Sequence, residues 1–161
     1  MTAVPPGDRA TVTVFVAVTP EDAFEVFTKE IDLWWKQGPK FRIAGRNRGQ
    51  LHFEGGVGGR MFETFASSTI EVGSITAWEP PSRLEFEWRG VNFKPTEKTV
   101  VEVRFEPIGR GTNVTVQHRG WSSLPDDHPV RHGKVGADFI RTMGMWWGEL
   151  MTSLREHVNS R

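Results

Sequence analysis

The sequence predicts an α+β fold: a curved antiparallel sheet of about seven strands wrapped around one long C-terminal helix, with two short helices after the first strand. Three observations carry it. The stretch from Val130 to Val158 has a helical period. Gly136, Phe139, Ile140, Met143, Trp146, Trp147, Leu150, Met151, Leu154 and Val158 fall at steps of three and four and form one wide apolar stripe, with the charged residues mostly off it. Most of the chain upstream alternates apolar and polar residues, the period of a strand with one buried face. Clusters of glycine and proline punctuate those alternating runs, as in a meander of antiparallel strands. A helix with a broad apolar face and a sheet with one apolar face bury both when the sheet curls around the helix.

The elements follow in order. Residues 1–9 hold two prolines, Gly7 and Asp8, and read as a loose tail ahead of a single domain over 10–158. From Ala10 to Val18 the valines Val12, Val14, Val16 and Val18 share one face, so this is a strand with its valine side inward. Thr19-Pro20-Glu21-Asp22 supplies an N-cap, a proline at the first helical position and acids in the first turn. Ala23, Phe24, Val26 and Phe27 are the apolar side of the short helix that follows, and Ile31, Leu33, Trp34 and Trp35 belong to a second. Lys36 to Gly49 is irregular and basic, with Lys36, Lys40, Arg42, Arg46 and Arg48.

Short strands are then predicted over Leu51–Glu54, Arg60–Ala66 and Glu71–Trp78, with Gly55 to Gly59 as a turn or bulge. Pro80-Pro81-Ser82 turns the chain, since neither proline donates to a ladder. Leu84, Phe86 and Trp88 face inward on the next strand. Thr99, Val101, Val103 and Phe105 do so on the one after, and Gly109-Arg110-Gly111 closes a hairpin to a last strand with Val114, Val116 and His118 inside. Trp121 to Pro129 is a loop leading to the long helix.

Composition excludes several classes of function. Lys+Arg and Asp+Glu number 20 each, so the chain has no net charge to neutralise a polyanion and no nucleic-acid partner is expected. There is no cysteine, which removes disulfides, thiolate metal sites and a cysteine nucleophile and is compatible with a cytoplasmic location. The N-terminus lacks the basic and apolar regions of a secretory signal, and no apolar run approaches the ~20 residues that insertion across a bilayer requires. Seven Trp and eleven Phe with no Tyr predict a hydrophobic pocket wherever rings line one.

Several runs occur together in a recognisable order: Gly58-Gly59-Arg60, Val72-Gly73, Trp78-Glu79-Pro80-Pro81-Ser82-Arg83-Leu84 with Trp88, Thr99 to Phe105, Gly111-Thr112, and His118-Arg119-Gly120-Trp121. In combination, over roughly residues 10–158, they resemble the family named after the activator of heat shock protein 90 ATPase, within the START-like, helix-grip superfamily also called SRPBCC. The resemblance implies a seven-stranded antiparallel sheet gripping the C-terminal helix, a cavity between them, and a small hydrophobic molecule as the partner. It also implies two alternatives. One is an enzyme of the cyclase, dehydratase or hydrolase kind acting in the same cavity. The other is a co-chaperone-like interaction protein, although nothing in the chain matches a separate N-terminal domain of the co-chaperone that names the family.

Trp78, Trp88, Phe105, Phe139, Met143 and Trp146 are expected to wall the cavity, with Trp35 and Phe41 at its rim. His118 has the inner parity of its strand. There it would fix a polar end of a ligand or act as acid or base near neutral pH, unless it is a core histidine bonded to a neighbour. Glu63 lies on a strand with phenylalanine at both parities, so periodicity assigns it no face. If it faces inward, it needs a partner or a raised pKa, and His118 or Arg60 could serve; a Glu63–His118 pair becomes the candidate catalytic unit. Gly55 to Arg60 lacks the G-K-[ST] ending of a phosphate loop and leads into a strand, so it reads as a turn. His128 and His132 are four apart, but Pro125 and Pro129 place them in a loop and no third ligand stands out, so no metal is expected. The basic run reads as a solvated rim, or as a gate that attracts an anion. Gly144 and Gly148, one turn apart in a helix, ask for a spatial reason: close backbone packing or room for a ligand. No motif requires a cofactor and none is expected.

Overall fold

The computed structural model of the protein describes residues 5, 7–42, 48–90 and 92–161. The strands are β1 (Ala10–Val16), β2 (Gln50–Phe53), β3 (Arg60–Thr64), β4 (Thr69–Glu79), β5 (Arg83–Trp88), β6 (Thr99–Ile108) and β7 (Gly111–Arg119). The helices are α1 (Pro20–Lys29), α2 (Ile31–Trp34) and α3 (Gly136–Asn159), with single 3₁₀ turns at Trp121–Ser123 and Pro129–Arg131. One sheet of order β1-β7-β6-β5-β4-β3-β2, antiparallel throughout, curves around α3.

The curvature has local causes. Register shifts occur between Met61 and Phe62 and between Ile75 and Ala77, so β4 is bent on both sides. Gly73 lies between them, and a Cβ there would collide with the Glu87 carbonyl, so only glycine lets β4 cross so close to β5.

The inward set is the alternating one. Leu84, Phe86, Val101, Val103, Phe105, Val114 and Val116 are all buried, and they meet Trp147, Leu150, Met151 and Leu154 of α3. Each such side chain contributes about 1.5–3 kcal/mol of burial. The outward set forms an ion-pair ladder in which Arg83 and Arg119 bridge Glu85 and Glu102 across three strands. Thr19 caps α1 by accepting from the Asp22 N–H at 3.2 Å, with Pro20 at the first helical position.

Three expectations are corrected. The long helix begins at Gly136, not near Val130, because His132 (φ 49°) and Gly133 (φ 81°) adopt left-handed backbone that no helix can run through. Trp35, read as part of the second short helix, lies just past it, because α2 is a single turn ending at Trp34 and Trp35 adopts extended backbone; Leu33 on that turn is 68% exposed. Asp8, placed in the tail, is buried. Its carboxylate accepts from the Ser122 hydroxyl at 2.5 Å, tying that end of the chain to the loop after β7.

Candidate functional site

His118 faces inward on β7 as expected, but it is fully buried in a closed network. The Trp147 indole nitrogen, which can only donate, lies 3.1 Å from Nδ1 and fixes that atom as an acceptor. The proton is therefore on Nε2, which donates to Thr99 Oγ1 at 2.7 Å, and that hydroxyl donates to the Trp88 carbonyl at 2.9 Å. Burial drives the imidazole pKa down to about 3, so it is neutral at physiological pH. With both nitrogens engaged and no solvent contact, His118 pins α3 to the sheet and has no proton to exchange with a bound molecule.

Glu63 also faces inward, and its partner is Arg42, not His118. Arg42 Nη1 lies 3.3 Å from Glu63 Oε2 and 2.8 Å from Asp32 Oδ1. Its Nη2 donates to the Trp35 carbonyl at 2.6 Å and its Nε to that of Lys36 at 3.1 Å. Burial raises the Glu63 pKa, and the Arg42 charge opposes it. Glu63 and His118 do not form the pair considered from sequence, because β4, β5 and β6 lie between their strands and each is bonded to other partners. Arg42, assigned from sequence to a solvated rim, is instead 3% exposed. Arg46 of the same run lies outside the described residues.

The segment from Trp35 to Arg42 is drawn down over the end of the sheet by further bonds. Trp35 Nε1 donates to the Phe41 carbonyl at 2.9 Å and Trp146 Nε1 to the Lys40 carbonyl at 2.7 Å, while Lys40 pairs with Glu149 at 2.6 Å. Phe41 stacks on Trp146 with ring centroids 5.7 Å apart.

Beneath this segment lies a cavity of about 510 Å³ at the open end of the grip. Its floor is Trp88 at the end of β5, with Gly90 and Asn92 beyond it. Phe139, Thr142, Met143 and Trp146 of α3 line it together with Phe41, which rests on Trp146, and Trp121 with Val130 to His132 and Lys134 completes the lining. Most of that lining is apolar. Further in, between Trp35, Leu51, Met61 and Val72, the free space falls to about 10 Å³, room for one water at most. The sheet is thus packed against the helix along most of its length and parts from it at one end. Two shallower hollows of about 720 and 570 Å³ lie open on the outer surface, the first along the outer side of α3.

Of the side chains expected to wall the cavity, Phe41, Trp88, Phe139, Met143 and Trp146 do so. Trp35 stands behind Phe41 on the small inner space. Trp78 and Phe105 do not reach the cavity: Phe24 of α1 packs on both, at 5.2 and 5.1 Å between centroids. Gly144 and Gly148 are not part of it either. A Cβ at either position meets nothing within 4 Å, and Gly148 borders the outer hollow. His128 is not a solvated loop residue, since it is buried and bonds Glu97 at 2.9 Å. Sequence reasoning missed Trp121 and Arg131 as lining residues. Trp121 closes the run from His118 that marks the family, whereas nothing local marks Arg131.

Residues 11–159 match the profile of the family described as activator of Hsp90 ATPase homolog 1-like protein. The chain belongs to this family. No curated protein matches it. Among solved structures, the chain is similar to the Aha1 dimer of Colwellia psychrerythraea at 15% identity and a TM-score of 0.64, over 93% of this chain and 95% of that one. An HSP90 activator of Plasmodium falciparum has 18% identity and a TM-score of 0.64, over 95% and 97%. A protein of Nitrosomonas europaea has 13% identity and a TM-score of 0.66, over 99% of each chain. At these identities the likeness is one of fold: the same helix-grip architecture recurs across the family.

Proposed function

We propose that this family member binds a small, mainly hydrophobic molecule in the cavity between the sheet and the N-terminal half of α3. The observation that carries the reading is the apolar 510 Å³ space walled by Phe41, Trp88, Phe139, Met143 and Trp146. Its volume is within the range of small-molecule sites, and its rings supply affinity by burial. Binding is favoured over catalysis because His118 and Glu63 are each engaged in a structural contact and neither lines the cavity. An interaction surface for a chaperone would not need this cavity.

The test is fluorescence titration with the neutral apolar reporter N-phenyl-1-naphthylamine, alongside native and denatured mass spectra of the purified protein. Saturable reporter binding, weakened at least ~10-fold by Met143→Trp and unchanged by Leu33→Ala on the exposed turn of α2, is the expected result. Binding that is absent, or indifferent to Met143, refutes the reading.

A further inference from the structure

The cavity has a one-sided charge chemistry. Among the described residues its lining includes Lys40, Arg42, Arg131 and Lys134, and no Asp or Glu. Arg42 is neutralised by Asp32 and Glu63, and Lys40 by Glu149. The other two have no such partner. Lys134 is exposed at the mouth, with Nζ 3.2 Å from the Thr142 hydroxyl.

Arg131 is the more telling. It is 3% exposed, and no carboxylate of the described residues pairs with it. Its Nε donates to the Pro125 carbonyl at 2.8 Å, and Nη2 to the carbonyls of Trp121 and Leu124 at 2.7 and 2.9 Å. Those three bonds fix the guanidinium plane 4.9 Å over the face of Phe139, a cavity wall. Nη1 makes no hydrogen bond to any described residue. Trp121 also lines the cavity, and its buried indole N–H has no acceptor among the described residues. A buried cation without a counter-ion is costly, and this one lies in the lining of a mainly apolar space.

We propose that the part of the cavity lined by Arg131 is a carboxylate site, and that the ligand is an apolar molecule ending in a carboxylate, such as a medium-chain or aryl acid. Arg131 Nη1 donates to the carboxylate, and Lys134 adds a second charge at the mouth. The three carbonyls hold the guanidinium in place before the ligand arrives, so little ordering is needed on binding. This rests on the cavity reading and adds the chemistry of the head group.

Decanoate and decan-1-ol share one chain and differ in the head, and each is used to displace N-phenyl-1-naphthylamine at neutral pH. The expected result is displacement by decanoate at a concentration at least ~10-fold lower than by decanol. Arg131→Gln abolishes that difference while the reporter still binds, and added salt or Lys134→Gln reduces it. Equal displacement, or a better result for decanol, overturns the carboxylate site and leaves the cavity reading standing. If the reporter does not bind at all, the cavity reading itself fails and takes this one with it. Should Arg131→Gln not fold, the exposed Lys134→Gln and the salt titration decide: a decanoate preference that neither reduces overturns the assignment.

Discussion

An indole nitrogen can only donate, and that single fact makes His118 a neutral acceptor toward Trp147 and removes it from acid–base chemistry. The consequence is measurable as a stability effect. The folded-state pKa is about 3, below the ~6.5 of an unfolded histidine. Below pH 6.5 the unfolded chain therefore takes up a proton that the folded one refuses, so this group's stabilisation is complete above that pH and is lost as pH falls toward 3. The loss is on the order of 4 kcal/mol over that window. In urea titrations across pH, His118→Asn is expected to be less stable at pH 7 and to lose less stability between pH 6.5 and 4 than the parent. Parallel pH profiles would contradict the buried neutral state. Glu63 runs the other way: its raised pKa means that stability is given up as pH rises through its titration. Arg42→Met leaves that carboxylate buried and alone, at an expected cost of roughly 3–5 kcal/mol, and adding Glu63→Leu should restore part of it. A double variant no more stable than Arg42→Met alone would show that the stranded Glu63 carboxylate is not the main source of that cost. The inward placement of His118 was legible from strand parity, and of its possible roles the core histidine bonded to its neighbours is the one found. Which neighbours was not legible, because they come from β6 and α3. Glu63 was unreadable for a related reason, since its counter-ion lies on an irregular segment with no period to place it.

At the scale of elements, periodicity worked wherever one face of a strand or helix is buried. The strands from β4 onward and the buried stripe of α3 follow it, because register and burial are tied by a fixed repeat. It failed at the start of α3, where the left-handed His132 and Gly133 end any helix opened at Val130. Gly144 and Gly148 had asked for close backbone packing or room for a ligand; the packing alternative fails, because a side chain at either position meets no neighbour, and the free space beside Gly148 is the outer hollow, not the cavity. The physical expectation is then set by propensity alone. Gly144→Ala and Gly148→Ala should each stabilise by about 0.5–1 kcal/mol, seen as additive rises in melting temperature. Gly73→Ala, which drives a methyl into the Glu87 carbonyl, should instead lower it sharply. A destabilised Gly148→Ala would mean that the outer side of α3 is covered in solution.

The cavity is a property of the whole molecule. It exists where a curved sheet and a straight helix part company, and its far end is closed by the turns between β7 and α3. Aromatic content predicted what its walls are made of. It could not say which rings, because α1 claims Trp78 and Phe105 for a second packing contact that no strand pattern encodes. The same geometry supplies a way to separate the cavity from the larger hollow outside α3. Thr142 lines the cavity, while Thr152 lines the outer hollow on the same helix. Thr142→Trp adds an indole to the enclosed space, and Thr152→Trp adds one to the open surface. Both substitutions carry similar helix propensity costs, so a difference between them reports location. Thr142→Trp should weaken binding of N-phenyl-1-naphthylamine at least ~10-fold with little change in melting temperature, and Thr152→Trp should leave both unchanged. The reverse pattern would move the site to the outer side of α3, where Met145 is 60% exposed, and would make that surface, not the grip, the part of the molecule to pursue.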